Sequence, residues 1–134
     1  MGYTVKTGFE NMDLNWVVDA LHGTYWADDR RAETIEKSMR NSLCFGVFEG
    51  ETQVGFCRVI SDYATTYYFC DAIIEESCRG KGVGSIMLNA VVTDPRFSDL
   101  RGNLGTKDAH GFYEHFGFEK NDKLFMQRWT KVFK

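Results

Sequence analysis

The chain has 134 residues, a length typical of one domain, and we expect residues 1–134 to form a single domain. Its hydrophobic fraction of 43%, with 15% aromatic residues, argues against a chain that is disordered as a whole. The formal net charge of −3 argues against a nucleic-acid partner, because proteins that bind nucleic acids normally carry an excess of basic residues.

Cysteine usage and the lack of targeting signals indicate the compartment. The four cysteines are Cys44, Cys57, Cys70 and Cys78. Their spacing fits neither a zinc site nor a CxxC redox pair. We therefore expect free, mostly buried thiols and no metal site. The chain opens without a signal peptide, and no apolar run is long enough to cross a membrane. These features predict a cytoplasmic protein that does not bind to a membrane.

The first third of the chain predicts two helices with an aromatic loop between them. Apolar residues from Leu14 to Leu21 recur with helical spacing, and Asp13 is a suitable N-cap. A second amphipathic helix is predicted at Ala32–Arg40. Residues 23–29 form the loop, and residues 3–6 favour an opening strand.

The remainder predicts a meander of strands followed by alternating helices and strands. β-branched and aromatic runs separated by turn residues are typical of strands. An apolar helix is predicted after Gly84, and it ends before Pro95. The other predicted elements are strands at 43–48, 53–60, 65–74 and 100–105, a helix at 110–116, and a last strand at 124–129. This order predicts an α+β fold, a mixed sheet with helices on its faces.

The most informative segment runs from a strand through a glycine-rich turn into a helix. Its sequence from Arg79 to Ser85 is Arg-Gly-Lys-Gly-Val-Gly-Ser. Glycines let backbone N–H groups approach a ligand, the helix N-terminus adds partial positive charge, and two basic side chains add full charges. Together these features predict a binding site for a diphosphate.

Two common diphosphate-binding motifs do not fit this turn. The P-loop requires GxxxxGK[ST], which is not present, and Ser85 occupies the third glycine position of GxGxxG. The pattern that does fit is RxxGxG, with Arg79, Gly82 and Gly84 at its fixed positions.

A second motif lies downstream, where residues 109–118 read AHGFYEHFGF. This segment resembles the A-x-x-x-Y-x-x-x-G-F motif of the GNAT superfamily of acetyltransferases, and RxxGxG resembles the central motif of the same superfamily. The resemblance extends over residues 43–118, and the two motifs follow the family's order. It implies a central mixed, mostly antiparallel sheet with splayed central strands, flanked by helices.

The resemblance also implies an N-acetyltransferase that moves an acetyl group from acetyl-CoA to a primary amine by direct attack in a ternary complex. The backbone N–H near Ile74, freed where the strands splay, would hold the thioester carbonyl. Many family members carry Asn where this chain has Thr106, whose hydroxyl offers fewer hydrogen bonds. The implied cofactor contacts are Ile73, Ile74, Arg79, Gly80, Lys81, Gly82, Val83, Gly84, Ser85, Thr106 and Phe112.

Two side chains are candidates for proton transfer. Tyr113 occupies the position of the family's usual general acid, with a core tyrosine as the alternative. Asp71 is a candidate base, because a carboxylate in an apolar strand needs a role or a partner. Its alternative is a buried ion pair with Arg58 on the preceding strand. Alternation along the strand places Tyr68 and Asp71 on opposite faces unless a bulge intervenes, and Tyr68 is the rival on the substrate side.

The aromatic loop and the C-terminal segment carry the remaining predictions. Tyr25 and Trp26 are candidate substrate contacts, since paired rings hold a cation or another ring; the alternative is packing at the edge of the core. The resemblance implies that two copies pair through exposed strands, and Phe125 and Trp129 favour such an edge, which predicts a homodimer. Two other functions stay open: a non-catalytic acyl-CoA-binding regulatory module and a different phosphate-binding module.

Overall fold

The computed structural model describes residues 2–130 of the chain. The strands in this range are β1 (Thr4–Thr7), β2 (Leu43–Glu49), β3 (Thr52–Ser61), β4 (Thr66–Ile74) and β5 (Arg101–Leu104). The α-helices in the same range are α1 (Leu14–His22), α2 (Ala32–Arg40), α3 (Val83–Val92) and α4 (His110–Glu114). Two short 3-10 helices lie at Phe9–Asn11 and Glu76–Cys78.

The strands form one sheet in the order β1-β2-β3-β4-β5. The first four strands pair antiparallel, whereas β4 and β5 are parallel. A parallel pair needs a long crossover connection, which α3 provides here. The observed architecture is an open, mostly antiparallel sheet with helices packed on it, and it confirms the predicted α+β fold class.

Each face of the sheet has its own apolar core. On one face, Met87 and Val91 of α3 pack with buried residues of β2, β3 and β4. On the other face, Leu21 of α1 and Ile35 of α2 pack against Phe56. Successive side chains of a strand point to opposite faces, so the apolar runs of β2 and β3 supply both cores at once.

Capping signals in the sequence agree with the observed helix ends. The Trp16 N–H donates to Asp13 Oδ1 at 3.1 Å, which caps α1. After α4, Gly117 has a φ of 90°, and the Phe118 N–H donates to the Tyr113 carbonyl at 3.4 Å. This is the closing bond of a Schellman motif. The helix ends at Glu114, two residues before the predicted end.

The predicted last strand at 124–129 is wrong. These residues form a turn and irregular chain outside the sheet, and the large apolar residues among them are exposed. The β-propensity of a segment states how well it fits a paired, half-buried surface, and it does not supply the partner strand.

The thiols follow the sequence prediction. All four cysteines are free; three of them are buried and Cys70 is partly buried. Within residues 2–130, no helix has the length and apolar character needed to span a bilayer. In the same range, no three His, Cys, Asp or Glu side chains are grouped so that they could hold a metal ion.

Candidate active site

The strands β4 and β5 are paired along only the first half of β4. The register joins Thr66–Phe69 to Arg101–Leu104, and β5 ends there. The second half of β4, Cys70–Ile74, continues with β3 as its neighbour on one side. A gap therefore opens between β4 and β5, as the family resemblance implied.

One backbone amide of β4 faces this gap. The Glu75 N–H donates to the Val54 carbonyl at 2.7 Å, and so points toward β3. Because successive N–H groups of a strand alternate in direction, the Ile74 N–H points to the opposite side, beyond the end of β5. The side chain of Ile74 packs against the α3 core, while that of Ile73 packs against the α1–α2 core. The backbone of Ile74 is thus the part of this residue that is available to a ligand.

A β-bulge sits in the parted half of β4. The register with β3 shifts between the Phe56–Ile73 and Arg58–Cys70 pairs. Asp71 lies in the bulge with a φ of 56°, a left-handed conformation that Asp adopts more readily than most residues. The bulge interrupts the alternation, so it places the Asp71 side chain on the same face as Tyr68, the face covered by α1 and α2.

Asp71 is held in a buried ion cluster rather than exposed to a substrate. Its Oδ2 accepts hydrogen bonds from Arg30 Nη1 at 2.9 Å and from Arg58 Nε at 2.7 Å. The Asp71 side chain is 5% exposed, and those of the two arginines are 10% and 14% exposed. Arg58 Nη1 also donates to Ser42 Oγ at 3.1 Å. This geometry matches the alternative role of Asp71, a buried pair with Arg58, and places a second arginine that the sequence did not indicate.

The glycine-rich turn has the backbone that a diphosphate site requires. Gly80 and Gly82 have φ values of 79° and 84°, which strain any residue with a side chain, and no atom would lie within 4 Å of a Cβ added at either position. Gly82 is the N-cap of α3. The first N–H groups of α3, from Val83 onward, have no acceptor within the helix, while the Val83 side chain is buried in the core.

The second motif lies beside this turn. A methyl group added at Gly84 would meet Phe112 Cζ at 3.5 Å, so α4 borders the N-terminus of α3. The Tyr113 ring packs edge-on against Phe69, at a centroid distance of 5.8 Å, and against Phe112 and Phe118. Burial raises the pKa of the Tyr113 hydroxyl above its ordinary value. The group is therefore a proton donor, and not a phenolate, at neutral pH.

A cleft of about 580 Å³ opens on the side of α1. The predicted residues Tyr25, Trp26, Ile73, Ile74 and Arg79 line it. Tyr68 and Tyr113 are not among its lining residues, so the cleft does not unite all the predicted positions. Tyr25 and Trp26 are 70% and 43% exposed, and their rings meet edge to face with the centroids 5.5 Å apart.

Three carboxylates of the cleft were missed by the sequence reasoning: Asp19, Glu75 and Glu76. Glu75 directly follows β4, and it is the best anchored of the three. Its carboxylate accepts hydrogen bonds from Trp16 Nε1 at 3.3 Å and from the Glu76 N–H at 3.1 Å. The available sequence signal was its place, one residue beyond Ile74 at the end of the strand that leads into the glycine turn.

Two further predicted positions lie at the border of the gap. Tyr68 pairs with Asn103 of β5 and is 37% exposed. Burial raises the pKa of its hydroxyl, and the nearby Cys70 and Asp71 groups act in the same direction. The Thr106 hydroxyl accepts from the Ala109 N–H at 3.1 Å. This hydrogen bond stabilises the start of α4. It does not replace the hydrogen bonds that an asparagine side chain at this position would offer to a ligand.

Comparison with known proteins decides the family. A family model described as an acetyltransferase (GNAT) domain matches residues 40–120. The chain belongs to the GNAT family of acetyltransferases. The matched range contains the ion cluster's Arg58 and Asp71, the parted strand, the glycine-rich turn and α4. Membership in this family supports acetyl transfer as the activity and acetyl-CoA as the acetyl donor.

Individual relatives agree with this assignment. A protein of known structure from Xanthomonas campestris pv. campestris, assigned to the GNAT family, has a TM-score of 0.92 and 34% identity, covering 97% of this chain and 94% of that chain. An acetyltransferase structure from Clostridium acetobutylicum, described with acetyl-CoA, shares the fold with a TM-score of 0.70 and 12% identity, covering 95% and 96% of the two chains. The Gibberella zeae protein FG08082, named as an acetyltransferase candidate, is 26% identical and covers 82% of each chain.

Proposed function

We propose that this GNAT protein is an N-acetyltransferase, which moves the acetyl group of acetyl-CoA to a primary amine by direct attack in a ternary complex. The observation that carries the proposal is the gap beside the Ile74 N–H. This amide lies between the glycine-rich turn on one side and an open cleft on the other. Donor and acceptor can therefore approach the same point from different directions.

The residues of the turn and of α4 fit acetyl-CoA. The left-handed Gly80 and Gly82 leave the surface open, and the first N–H groups of α3 bind its diphosphate together with Arg79 and Lys81. Phe112 contacts the arm of the carrier beside Gly84. Acetyl-CoA supplies a thioester, which is an activated acyl group with a thiolate as its leaving group.

Two groups of the chain act on the bonds that change. The Ile74 N–H donates to the thioester carbonyl oxygen, where negative charge grows as the amine attacks. The Tyr113 hydroxyl gives its proton to the departing sulfur, and burial keeps that hydroxyl protonated at neutral pH because it raises the pKa.

Glu75 replaces Asp71 as the proposed proton acceptor for the amine. A lysine-like amine has a pKa of about 10 and arrives mostly protonated, so a proton must leave it before or during attack. Glu75 lines the cleft next to Ile74, and its carboxylate is oriented by Trp16. Asp71 does not line this cleft, and its Oδ2 accepts hydrogen bonds from two buried arginines.

The lining of the cleft favours a cationic amine as the acceptor. Asp19, Glu75 and Glu76 outnumber the single basic lining residue, Arg79, which we assign to the diphosphate. The Lys107 ammonium lies 5.3 Å from the centroid of the Tyr25 ring, within the range of a cation–π contact. We therefore place diamines and lysine-like side chains ahead of neutral aromatic amines.

The test is thiol release from acetyl-CoA in the presence of a panel of amines. Diamines, lysine peptides and neutral arylamines are compared at equal concentration, with a reaction without amine as the control for hydrolysis and for the protein's own thiols. The proposal expects release with the cationic amines and a mass increase of one acetyl group on the amine. Turnover of arylamines alone would overturn the substrate class but keep the activity.

A second measurement separates the enzyme from a non-catalytic acyl-CoA-binding module. Thermal unfolding is followed with and without CoA, because a ligand that binds the folded state raises the Tm. Stabilisation by CoA without turnover of any amine would favour the non-catalytic regulatory module over the enzyme. Stabilisation by ATP or NAD, and not by CoA, would refute the assignment of the turn.

A further inference from the structure

The cleft beside Ile74 has two walls that come from distant parts of the chain. The lining residues of one wall lie within 19–26, at the end of α1 and in the loop after it. Those of the other wall lie within 72–79, at the end of β4 and in the turn that follows. An acceptor that contacts both walls binds in one orientation only if the distance between the walls is fixed.

The aromatic loop after α1 is folded so that every third residue is buried. Thr24, Ala27 and Arg30 are buried, whereas the intervening pairs 25–26 and 28–29 are exposed. The Ala27 N–H donates to the Thr24 hydroxyl at 3.2 Å, and the Arg30 N–H donates to the Ala27 carbonyl at 3.2 Å. The loop therefore presents its two aromatic rings outward and directs the side chain at its end, that of Arg30, inward.

Arg30 connects the end of this loop to β4 and to α1. Its Nη1 donates to Asp71 Oδ2 at 2.9 Å, and the Arg30 side chain is only 10% exposed. Asp71 directly precedes the residues of β4 that line the second wall. In the last turn of α1, His22 Nε2 lies 2.6 Å from the Arg30 carbonyl oxygen and donates to it, since a carbonyl only accepts. The ion pair thus joins the end of one wall to the start of the other.

We propose that Arg30 is a positioning residue for the amine acceptor. Its ion pair with Asp71 holds the aromatic loop at a set distance from the Ile74 N–H. The Tyr25 and Trp26 rings are thereby placed against an acceptor that approaches this amide. The inference rests on the proposed function, because it takes the amine to bind in the cleft beside Ile74.

The ion pair is the stronger of two cross-links between the walls. The other is the hydrogen bond from Trp16 Nε1 to Glu75, which is longer, at 3.3 Å, and exposed. A buried charge-assisted hydrogen bond is stronger than an exposed neutral–charged one, because water does not compete for its partners. Removal of the Arg30 side chain would not leave the carboxylate unpaired, since Arg58 Nε also donates to Asp71 at 2.7 Å.

The first test is hydrogen exchange, which does not depend on acetyl transfer. Arg30→Met keeps a long apolar stem and removes the charge. We expect the amides of residues 27 and 30 to exchange about tenfold faster than in the parent chain, while those of α3 keep the parent rate. The matched control is Arg31→Met, because the neighbouring Arg31 side chain is 68% exposed and pairs with Glu33. Unchanged protection of the loop in Arg30→Met overturns the proposal.

The second test measures the KM of each substrate, with a short alkyl diamine and a lysine peptide as acceptors. Arg30→Met is expected to raise the amine KM about tenfold and to keep the acetyl-CoA KM within about twofold of the parent value, since the donor binds at the glycine-rich turn. Arg30→Lys keeps the positive charge and should restore part of the amine KM. It also carries the comparison, with a smaller effect, should Arg30→Met fail to fold.

The outcomes separate a positioning role from a structural one and from a failure of the proposed function. An unchanged amine KM, or equal losses for the amine and acetyl-CoA, contradicts the role of Arg30 in positioning. A parent chain that acetylates neither amine refutes the proposed function instead, and the exchange test still decides whether Arg30 holds the loop.

Discussion

The two halves of β4 both pair with β3, yet they have different roles. In the first half, Thr66–Phe69, the strand lies between β3 and β5, and Tyr67 and Phe69 are core residues. In the second half, Cys70–Ile74, β5 has ended and the strand carries a bulge. Backbone groups that no neighbouring strand uses, and the charged Asp71 cluster, are found only in this second half.

The difference indicates that the candidate site forms where β4 no longer has β5 beside it. A strand paired on both sides uses all its polar backbone groups within the sheet, so none is left for a ligand. Because β5 ends at Leu104, no strand lies beside Ile74 on that side to accept a hydrogen bond from its N–H. This depends on the length of β5 and not on the side chains of β4. The ion pairs of Asp71 then link the second half of β4 to β3 through Arg58, and to the helical face of the sheet through Arg30. The following variants test this division of work between the two halves.

The largest effect is expected when the cluster loses its carboxylate. Asp71→Asn keeps a side chain that tolerates positive φ but removes the carboxylate that accepts hydrogen bonds from two buried guanidinium groups. Removing one partner of a buried ion pair costs about 3–5 kcal/mol of unfolding free energy. Urea denaturation measures this, with the exposed pair variant Glu36→Gln as a control that should change stability by less than about 0.5 kcal/mol. Equal stability of Asp71→Asn and the parent chain would reopen a catalytic role for Asp71.

Tyr113 and Tyr67 provide a matched pair across the two halves. Both are tyrosines whose pKa is raised by burial, but Tyr113 packs on Phe69 beside the gap, whereas Tyr67 lies in the paired half. Tyr113→Phe is expected to lower kcat by about 10²-fold without weakening CoA binding. Tyr67→Phe is expected to leave kcat unchanged. Similar rates for the two variants would remove Tyr113 from the reaction.

A smaller effect is expected at Glu75, because water can partly replace a base in an open cleft. Glu75→Gln preserves the hydrogen-bonding shape and removes the charge, and we expect kcat/KM for a cationic amine to fall by about 10- to 100-fold. Steady-state kinetics with Glu51→Gln, an exposed variant in the turn after β2, provides the comparison. A fall in Glu75→Gln confined to KM would assign Glu75 to substrate binding and not to proton transfer.

At the glycine turn, backbone conformation alone is tested. Gly82→Ala meets no neighbouring atom, but its φ of 84° disfavours a Cβ by about 1–2 kcal/mol. Gly111→Ala in α4 likewise meets nothing and has no such φ restriction, so it is the matched control. We expect a lower Tm and weaker CoA binding for the first variant only, measured by thermal shift and calorimetry.

A further expected effect concerns pH. Burial raises the pKa of Cys70, in the parted half, from 9.0 to about 11, and that of Cys44 to about 12. Above about pH 9 the unfolded chain loses these thiol protons before the folded chain does. Stability should therefore be intact below pH 9 and fall as the pH rises from 9 toward 11. Thermal melts with a reductant measure the slope, which Cys70→Ala should make shallower; an unchanged slope would contradict the burial of this thiol.

Much of the fold follows from local sequence patterns. Apolar periodicity predicted α1, α2 and the strands of the meander, and Asp13 and Gly117 marked helix ends because capping depends on residues that are close in the chain. The glycine-rich turn and the second motif were sufficient for the family. The cleft carboxylates were not predicted, since Asp19 and Glu75 are separated in sequence and meet only after folding.

By itself, then, the sequence determined what depends on near neighbours: the elements, the turn with positive φ, and the family. Tertiary structure alone decided what depends on distant partners. It placed Arg30 and Arg58 on the same oxygen of Asp71, which gives that carboxylate a structural role. It also left residues 124–129 outside the sheet, because a strand exists only where another strand accepts its hydrogen bonds.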